Sequence, residues 1–207
     1  MSLVSKAKHT TQDLTSKAKN AKLDLAAYKF AGEFPEESYA SIDTERAVVD
    51  DRASVRRFFG DDPTWRDRYF EYLEDGHVGM VLHDDGEVMS YGWTLTPESV
   101  RAPRALPDTI VEEDCYWLFD AGTEPEYRGN GLFKEINRAR TEWILERDPD
   151  ATIYTDTGVD NVARYGIESS QFEPHGTISL VRFEFPGTPL LKWSRWDRDA
   201  EHPPKPE

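Results

Sequence analysis

The sequence predicts an α/β (α+β) fold in which helices flank a twisted mixed sheet. Strand-like runs at 77–83 and 87–95 are joined by Asp84-Asp85-Gly86, a combination that is typical of an antiparallel hairpin. Further along the chain, strand-like and helix-like runs alternate, and strand–helix–strand units connect parallel strands by right-handed crossovers. Because a hairpin and crossovers occur in one chain, we expect a sheet that contains both strand directions.

Residues 1–32 are predicted to form a basic helical extension. Six lysines and only two aspartates occur in the first 30 residues, and leucine and alanine recur there at three- and four-residue spacing. A basic amphipathic helix can lie on an anionic membrane surface, or it can pack on its own domain or on a partner. Since alanine buries little area, packing on protein is the favoured interpretation.

Two short helices are expected before the hairpin. The first covers 50–59, and the second starts with Asp62 as its N-cap and Pro63 in the first helical position. Gly76 is expected to end the second helix. After the hairpin, three prolines within 97–113 predict a loop.

The second half of the chain supplies the predicted crossovers. In order, the predicted elements are a strand at 115–123, a helix at 132–144, a strand at 153–159, a helix at 161–170 and a strand at 172–185. The domain is therefore expected to span 33–186. The tail at 187–207 ends in charged residues and proline and is predicted to be partly disordered.

Composition restricts the expected partners and compartment. A formal net charge of -15 argues against nucleic acid, because binding phosphates requires a basic surface. Cys115 is the single cysteine, so no intrachain disulfide can form, which fits a reducing compartment. The sequence has no apolar run long enough to span a bilayer and no signal-peptide core, so we expect a cytoplasmic protein. The histidines have no metal-ligand spacing, and no metal is expected.

The most informative motif lies between the strand at 115–123 and the helix that follows. It reads Pro-Glu-Tyr-Arg-Gly-Asn-Gly-Leu-Phe over 125–133. A glycine-containing loop that leads into a helix N-terminus can present backbone N–H groups to a phosphate. The motif lacks both the Gly-Lys-Ser/Thr of a Walker A loop and the spacing of a dinucleotide fingerprint. It therefore indicates a phosphate-bearing ligand of another kind.

In this context the loop resembles the acyl-CoA loop of the GNAT N-acetyltransferase superfamily. That signature is Arg or Gln, two residues, Gly, one residue, and then Gly or Ala. Arg128 and Gly131 match it, whereas Phe133 departs from the small final residue. The resemblance extends over about 54–185, through the hairpin and the helix that begins near Asn161.

The resemblance implies that acetyl-CoA is the cosubstrate. Its pantetheine arm would pair with the strand end, where the Thr123 amide would stabilise the developing oxyanion. Asn161 would bind the cofactor or backbone, and a helix N-cap is the alternative role. The residues implied to bind the cofactor are Ala121, Gly122, Thr123, Arg128, Gly129, Asn130, Gly131, Leu132, Phe133 and Asn161.

Asp120 and Thr123 are the predicted catalytic residues. Asp120 lies where many family members carry an acidic general base, and a structural aspartate that caps a turn or pairs with an arginine is the alternative. Glu124 is a weaker candidate because it is expected to point to solvent. The position of the family's thiolate-protonating tyrosine falls near Ile167 or Glu168, and Tyr165 would point to almost the opposite side of the helix.

The predicted function is transfer of an acetyl group to a primary amine of a small molecule by direct attack. The N-terminal extension resembles those of family members that act on amino sugars, so an amino sugar is the preferred acceptor. A polyamine, an antibiotic, and a protein N-terminus or lysine are alternative acceptors. The missing tyrosine and the short last helix leave open a non-catalytic acyl-CoA-binding or regulatory module.

Overall fold

The computed structural model describes residues 19–103, 105–184 and 191–205. Within those ranges the fold is α+β, with an eight-stranded mixed sheet and helices on both of its faces. The helices are α1 Arg52–Phe59, α2 Pro63–Glu74, α3 Leu132–Leu145 and α4 Ala163–Glu168. The strands are β1 Lys19–Phe30, β2 Glu45–Val49, β3 Val78–Asp84, β4 Glu87–Leu95, β5 Tyr116–Thr123, β6 Ile153–Gly158, β7 Phe172–Glu184 and β8 Leu191–Asp197.

The strand order is β2-β3-β4-β5-β6-β1-β7-β8. β5 and β6 run parallel, and each other neighbouring pair within the described ranges is antiparallel. The predicted hairpin of β3 and β4, the crossover through α3 and the mixed character of the sheet are thereby confirmed. β6 and β7 are not neighbours, because β1 lies between them.

The two faces of the sheet are covered by different helices. Tyr69 of α2 packs with Trp93 and Trp117 in the larger apolar cluster. On the other face, Ile136 of α3 packs against Leu82 of β3. None of the helices in the described ranges is both long and apolar enough to cross a bilayer.

The predicted start of α2 is confirmed. The Asp62 carboxylate accepts a hydrogen bond from the Thr64 amide at 2.8 Å, and Pro63 occupies the first helical position, where no amide partner is needed. The helix ends one residue before Asp75, and Gly76 follows with φ +85°. This fixed start determines which side chains of α2 point over the sheet.

The predicted N-terminal helix is wrong over residues 19–30, which form β1. This strand pairs antiparallel with both β6 and β7. It is buried on both faces, with Ala27 in one apolar cluster and Tyr28 in another. A strand covered on both sides needs no polar alternation, so its apolar residues can also match a helical spacing. The part of the prediction that concerns residues 1–18 lies outside the described residues.

Within the predicted tail, Leu191–Asp197 form β8. β8 pairs antiparallel with β7, and its Trp196 packs on the larger apolar cluster. Beyond β8, the His202 Nε2 lies 2.9 Å from the carbonyl oxygen of Ala27 and 2.8 Å from that of Gly176. Composition alone missed these contacts because they are made with residues distant in sequence.

Candidate active site

The candidate site lies where β5 separates from β6 and carries an irregularity in its pairing with β4. β5 pairs with β6 at three positions only, the last being Leu118 with Thr155. Against β4, the register shifts so that Asp120 and Ala121 together face the single residue Gly92. Asp120 has φ +45°, a left-handed conformation that is uncommon for a residue other than glycine. The strand therefore carries a bulge at the residue that the sequence singled out.

A buried arginine fills this bulge. The Arg140 guanidinium donates hydrogen bonds to the carbonyl oxygens of Trp93, at 2.6 Å, and Phe119, at 3.2 Å. A Cβ atom on Gly92 would lie 2.6 Å from the Arg140 Cζ, so glycine makes room for the side chain. Burial lowers the pKa of Arg140 to about 9, and the charge of Asp120 opposes that shift. Arg140 thus links β4 and β5 at the bulge by bonding to a carbonyl of each strand.

A cleft of about 420 Å³ opens on the α3 side of β5. Its walls are the end of β5, the loop before α3, and the start of α4. The residues that line it are Ala121, Gly122, Thr123, Arg128, Gly129, Gly131, Leu132, Phe133, Lys134, Asn161, Ala163 and Gly166. Nine of the ten predicted cofactor residues therefore share one cleft, and Asn130 is the exception.

The loop before α3 presents a run of unpaired backbone donors. Within the described part of the chain, the amides of residues 129–133 donate to no hydrogen-bond acceptor. Two of them belong to the first turn of α3, where intrahelical partners do not exist. Gly129 and Gly131 both have positive φ. Consecutive amides of this kind form a concave site for an anion.

A second segment crosses this loop and explains why Gly131 is required. A Cβ atom on Gly131 would lie 1.9 Å from the carbonyl oxygen of Tyr39. The Ser41 amide donates to the Asn130 carbonyl, and the Ser41 hydroxyl donates to the Asn130 side-chain oxygen. Asn130 therefore anchors the crossing segment instead of facing the cleft. Buried Glu135 holds the same segment by accepting from the Tyr39 amide at 3.0 Å.

The large side chain of Phe133 is matched by a glycine on the facing helix. A Cβ atom on Gly166 would lie 2.9 Å from the Phe133 ring. The departure from the small residue of the GNAT signature is thus accommodated by α4. Asn161 also lines the cleft, and its side-chain oxygen accepts from the Ala163 amide at 2.9 Å. That bond forms an Asx turn just before α4, whose N-cap is Val162.

The Thr123 amide is directed toward the cleft side of β5. The neighbouring Glu124 amide donates to the Met89 carbonyl of β4 at 3.0 Å. Because hydrogen-bonding groups alternate along an antiparallel ladder, the Thr123 amide points away from β4. The Thr123 hydroxyl lies 3.2 Å from that of Ser90, and its carbonyl accepts from Arg128 Nε.

A second cavity, of about 560 Å³, lies on the α2 side of β5. It is bounded by α2, by the loop that precedes β5, and by three strands of the sheet. The residues that line it are Asp67, Arg68, Glu71, Tyr72, Pro103, Ala105, Leu106, Phe119, Asp120, Asp156 and Arg182. The cleft and this cavity share β5 as their common wall, with Asp120 on one side and Ala121 on the other.

Asp120 is ion-paired in this cavity. Its carboxylate lies 2.6 Å from the Arg68 guanidinium, which also donates to the Tyr72 hydroxyl. Burial raises the pKa of Asp120, and Arg68 is the main opposing influence. The pairing with an arginine was the structural alternative for this residue, and it is present here together with the cavity position expected of a base.

Asp156 is a second carboxylate in this cavity, and it is not one of the predicted site residues. It lies on β6 just beyond the last residue paired with β5, and it accepts from Trp117 Nε1 at 2.7 Å. The residue is partly accessible, while protein encloses its carboxyl and raises its pKa to about 7. No local signal in the sequence identifies it, because its partner Trp117 lies 39 residues away in the chain.

Tyr165 and Glu124 line neither the cleft nor the cavity on the α2 side of β5. Tyr165 is half-exposed, and the Lys205 ammonium lies 4.7 Å from the centre of its ring. Glu124 lines a separate aromatic pocket beside Trp65 and Tyr91, rather than pointing to solvent. Among the described residues, no three His, Cys, Asp or Glu side chains are grouped to hold a metal ion.

Comparison with known proteins supports the fold assignment. No protein-family model and no curated protein matches the sequence. A structure assigned to the GNAT family of acetyltransferases, from Novosphingobium aromaticivorans, has a TM-score of 0.52 at 16% identity, covering 81% of this chain. A GNAT-family acetyltransferase from Colwellia psychrerythraea has a TM-score of 0.50 at 17% identity, covering 86%.

This chain spans 66% and 61% of the lengths of those two proteins. At such low identity the likeness concerns the fold alone. The GNAT resemblance of the sequence is therefore confirmed for the arrangement of strands and helices.

Proposed function

We propose that this chain transfers an acetyl group from acetyl-CoA to a primary amine of a small molecule. The observation that carries the proposal is the run of unpaired amides at 129–133, beside the free edge of β5. Unpaired donors suit a pyrophosphate, and a free strand edge suits an amide-containing arm. CoA contains both groups in that order.

The cleft residues fit such a molecule. The amides of 129–133 would hold the pyrophosphate, and the exposed Arg128 would add positive charge at the same end. The edge of β5 from Ala121 to Thr123 would pair with pantetheine. When bound, acetyl-CoA supplies an activated thioester, and the Thr123 amide would donate to its carbonyl oxygen as negative charge develops there.

The acceptor is proposed as a small amine because of the cavity beyond β5. Its volume of about 560 Å³ lies within the usual range for small-molecule sites. The preference for an amino sugar depended on an N-terminal helix, whereas residues 19–30 are a strand. The proposal therefore stops at the class of primary amines.

An ammonium must lose a proton before its nitrogen can attack. The residue that the GNAT resemblance implies for this step is Asp120, which lines the cavity at the bulge. Its ion pair with Arg68 stabilises the carboxylate form, which would attract an ammonium. Direct attack then needs no covalent enzyme intermediate.

The test is a calorimetric titration with acetyl-CoA of wild type, Gly129→Asp and Gly129→Asn. Gly129 has φ +85° and open space where a Cβ would lie, and both Asp and Asn tolerate this conformation better than most residues. The two variants have the same shape and differ by one negative charge. We expect Gly129→Asn to bind within several-fold of wild type, and Gly129→Asp to bind at least about tenfold more weakly.

Equal affinity of the two Gly129 variants would remove the amide run as the phosphate site. This pair is a cleaner test than a substitution at Gly131, because a side chain there also collides with Tyr39. Release of free thiol from acetyl-CoA in the presence of a panel of primary amines then tests the transfer itself.

A non-catalytic acyl-CoA-binding module is the second candidate. The ion pair of Asp120 with Arg68 and the half-exposed position of Tyr165 favour it, since neither residue is free in the cleft to exchange protons. Tight binding of acetyl-CoA without thiol release on any amine of the panel would support this function over transfer.

A further inference from the structure

Two carboxylates on adjacent strands line the cavity beyond β5, and their surroundings differ. Asp120 lies on β5 at the bulge, and Asp156 lies on β6 at the point where the two strands separate. A group that accepts a proton from a ligand needs an oxygen that the ligand can reach. The hydrogen-bond and ion-pair partners of Asp120 and Asp156 therefore indicate which of the two can accept the proton.

Asp120 is ion-paired, and its basic neighbours favour its charged form while burial opposes it. The Arg68 guanidinium lies 2.6 Å from its Oδ2 atom, and buried Arg140 is close enough to stabilise its charge. A carboxylate between two guanidiniums is a weaker proton acceptor than a carboxylate with none. Its left-handed backbone also ties its position to the bulge that Arg140 supports.

Asp156 has one oxygen engaged and one available. Its Oδ1 accepts from Trp117 Nε1 at 2.7 Å, and neither a hydrogen bond nor an ion pair involves its Oδ2 among the described residues. The indole is fully buried and so fixes the orientation of the carboxyl group. The second oxygen belongs to a partly accessible residue that lines the cavity.

Charged groups reach this cavity from several elements. Directly opposite Asp156 in the ladder, β1 contributes the uncharged Ala27. The titratable and charged groups that line the cavity with Asp156 are Asp67, Arg68, Glu71 and Tyr72 of α2, Asp120 of β5 and Arg182 of β7. Among these described residues, carboxylates outnumber guanidiniums, so the lining favours a cationic ligand.

Resting on the acetyl transfer proposed above, we infer that Asp156, and not Asp120, takes the proton from the acceptor ammonium. Asp120, paired with Arg68, then helps to attract the ammonium to the part of the cavity beside the bulge. This assignment gives the two carboxylates different tasks, which follow from one being ion-paired and the other not.

An acceptor R–NH3+ gives one proton to Asp156, which leaves a neutral amine and a carboxylic acid. The amine nitrogen forms the new C–N bond to the acetyl carbon as the C–S bond breaks. The second proton lost from nitrogen ends on the departing sulfur, so that CoA leaves as a thiol. Asp156 returns its proton to water.

The protonation behaviour of Asp156 agrees with this role. Burial raises the pKa of its carboxyl to about 7, and the hydrogen bond from Trp117 opposes the shift. A base with a pKa near the working pH exchanges protons most effectively. The same shift costs stability: the folded state prefers the neutral acid, so its stability falls as pH rises from the ordinary value of 3.8 through about 7.

The experiment compares Asp156→Asn with Asp120→Asn as matched variants. Thiol release from acetyl-CoA is measured across pH with the most active amine of the panel. We expect Asp156→Asn to lower kcat by about 10²–10³-fold and to remove the rise of kcat near pH 7. Asp120→Asn should mainly raise KM and keep that rise. Loss of the rise in Asp120→Asn, with Asp156→Asn unaffected, would overturn the inference.

A second readout does not depend on activity. Asp156→Asn keeps the acceptor for Trp117 and removes the ionisation, so its melting temperature should exceed that of wild type at pH 8 and converge with it toward pH 4. NMR of protein labelled with ¹³C at aspartate carboxyl carbons should show one resonance that titrates near pH 7 and is absent only from Asp156→Asn. A melting temperature lowered at pH 8 would indicate a purely structural aspartate and contradict the inference.

The failure of the inference and that of the proposed function give different results. If the Asp156 resonance titrates below about pH 5, the inference is wrong, while binding of acetyl-CoA and turnover still support transfer. If wild type binds no acetyl-CoA, or binds it and releases no thiol with any amine, acetyl transfer is wrong and the role of Asp156 falls with it.

Discussion

The cleft and the cavity on the two sides of β5 present different chemical groups: backbone amides in the cleft and charged side chains in the cavity. The cleft on the α3 side is formed largely by one continuous stretch, 121–134, and it presents backbone amides. The cavity on the α2 side is assembled from α2, a loop and three strands, and it presents charged side chains. A site made of backbone can be recognised in a short motif, whereas a site made of distant side chains cannot.

The largest effect is expected from Gly131→Ala, on the backbone side. Its Cβ would lie 1.9 Å from the Tyr39 oxygen at a positive φ, whereas Gly129 has a positive φ with open space. Strain and collision together should cost about 4 kcal/mol for Gly131→Ala, and strain alone about 1 kcal/mol for Gly129→Ala. Urea unfolding measures both. Equal losses would mean that the segment through Tyr39 moves aside freely.

The next effect concerns the bulge that both sites share. Arg140→Met would leave the carbonyls of Trp93 and Phe119 without their donor and should lower the free energy of unfolding by about 3 kcal/mol. Gly92→Ala should also destabilise, because its Cβ meets the guanidinium. In the Arg140→Met background Gly92→Ala should cost much less. Additive losses in this double-mutant cycle would contradict the proposed contact between Arg140 and the Cβ position of residue 92.

On the α2 side of β5, we expect His77 to make the free energy of unfolding depend on pH. It is buried, its ring lies 5.1 Å from that of Phe119, and burial lowers its pKa from 6.5 to about 4. The folded state therefore prefers neutral His77, and the stability it contributes above pH 6.5 is lost as pH falls toward 4. We expect about 2 kcal/mol less stability at the acid end of that interval.

The control for this prediction is His77→Asn, which cannot become charged in that interval. Its free energy of unfolding should change less between pH 6.5 and 4 than that of wild type. Parallel pH profiles for the two proteins would assign the acid sensitivity to other groups.

The smallest effect is expected at the start of α2. Asp62→Ala removes the acceptor for the Thr64 amide and should cost about 1 kcal/mol. Since α2 contributes no residue to the cleft, the affinity for acetyl-CoA should stay unchanged. A parallel titration of wild type and Asp62→Ala measures this, and a loss of affinity would show that the two sites are coupled through β5.

Much of the fold follows from local patterns in the sequence. The hairpin of β3 and β4 has a two-residue turn, and Asp85 and Gly86 both have positive φ, as that turn type requires. The helix α3 follows from the apolar stripe that begins at Leu132. The end strands do not follow in this way, because β1 and β8 form only against β6 and β7.

The candidate site likewise contains residues that local sequence patterns predict and residues that only distant contacts bring together. The motif at 125–133 and the GNAT resemblance together predict the cofactor residues at 121–123 and 128–133, and those that line the cleft are near neighbours in sequence. Asp120 was placed at the right strand, but its left-handed backbone and its pairing with Arg68 were visible only in the structure. Arg140 and Asp156 were missed because their partners lie 47 and 39 residues away.

The sequence by itself determined the order of the central elements and the loop that presents amides before α3, because turns, caps and helical stripes depend on neighbouring residues. Only the tertiary structure decided that β1 separates β6 from β7, that Arg140 fills the bulge opposite Gly92, and that an unpaired carboxylate faces the second cavity. Those outcomes depend on which distant surfaces are buried together, and burial is a property of the whole chain.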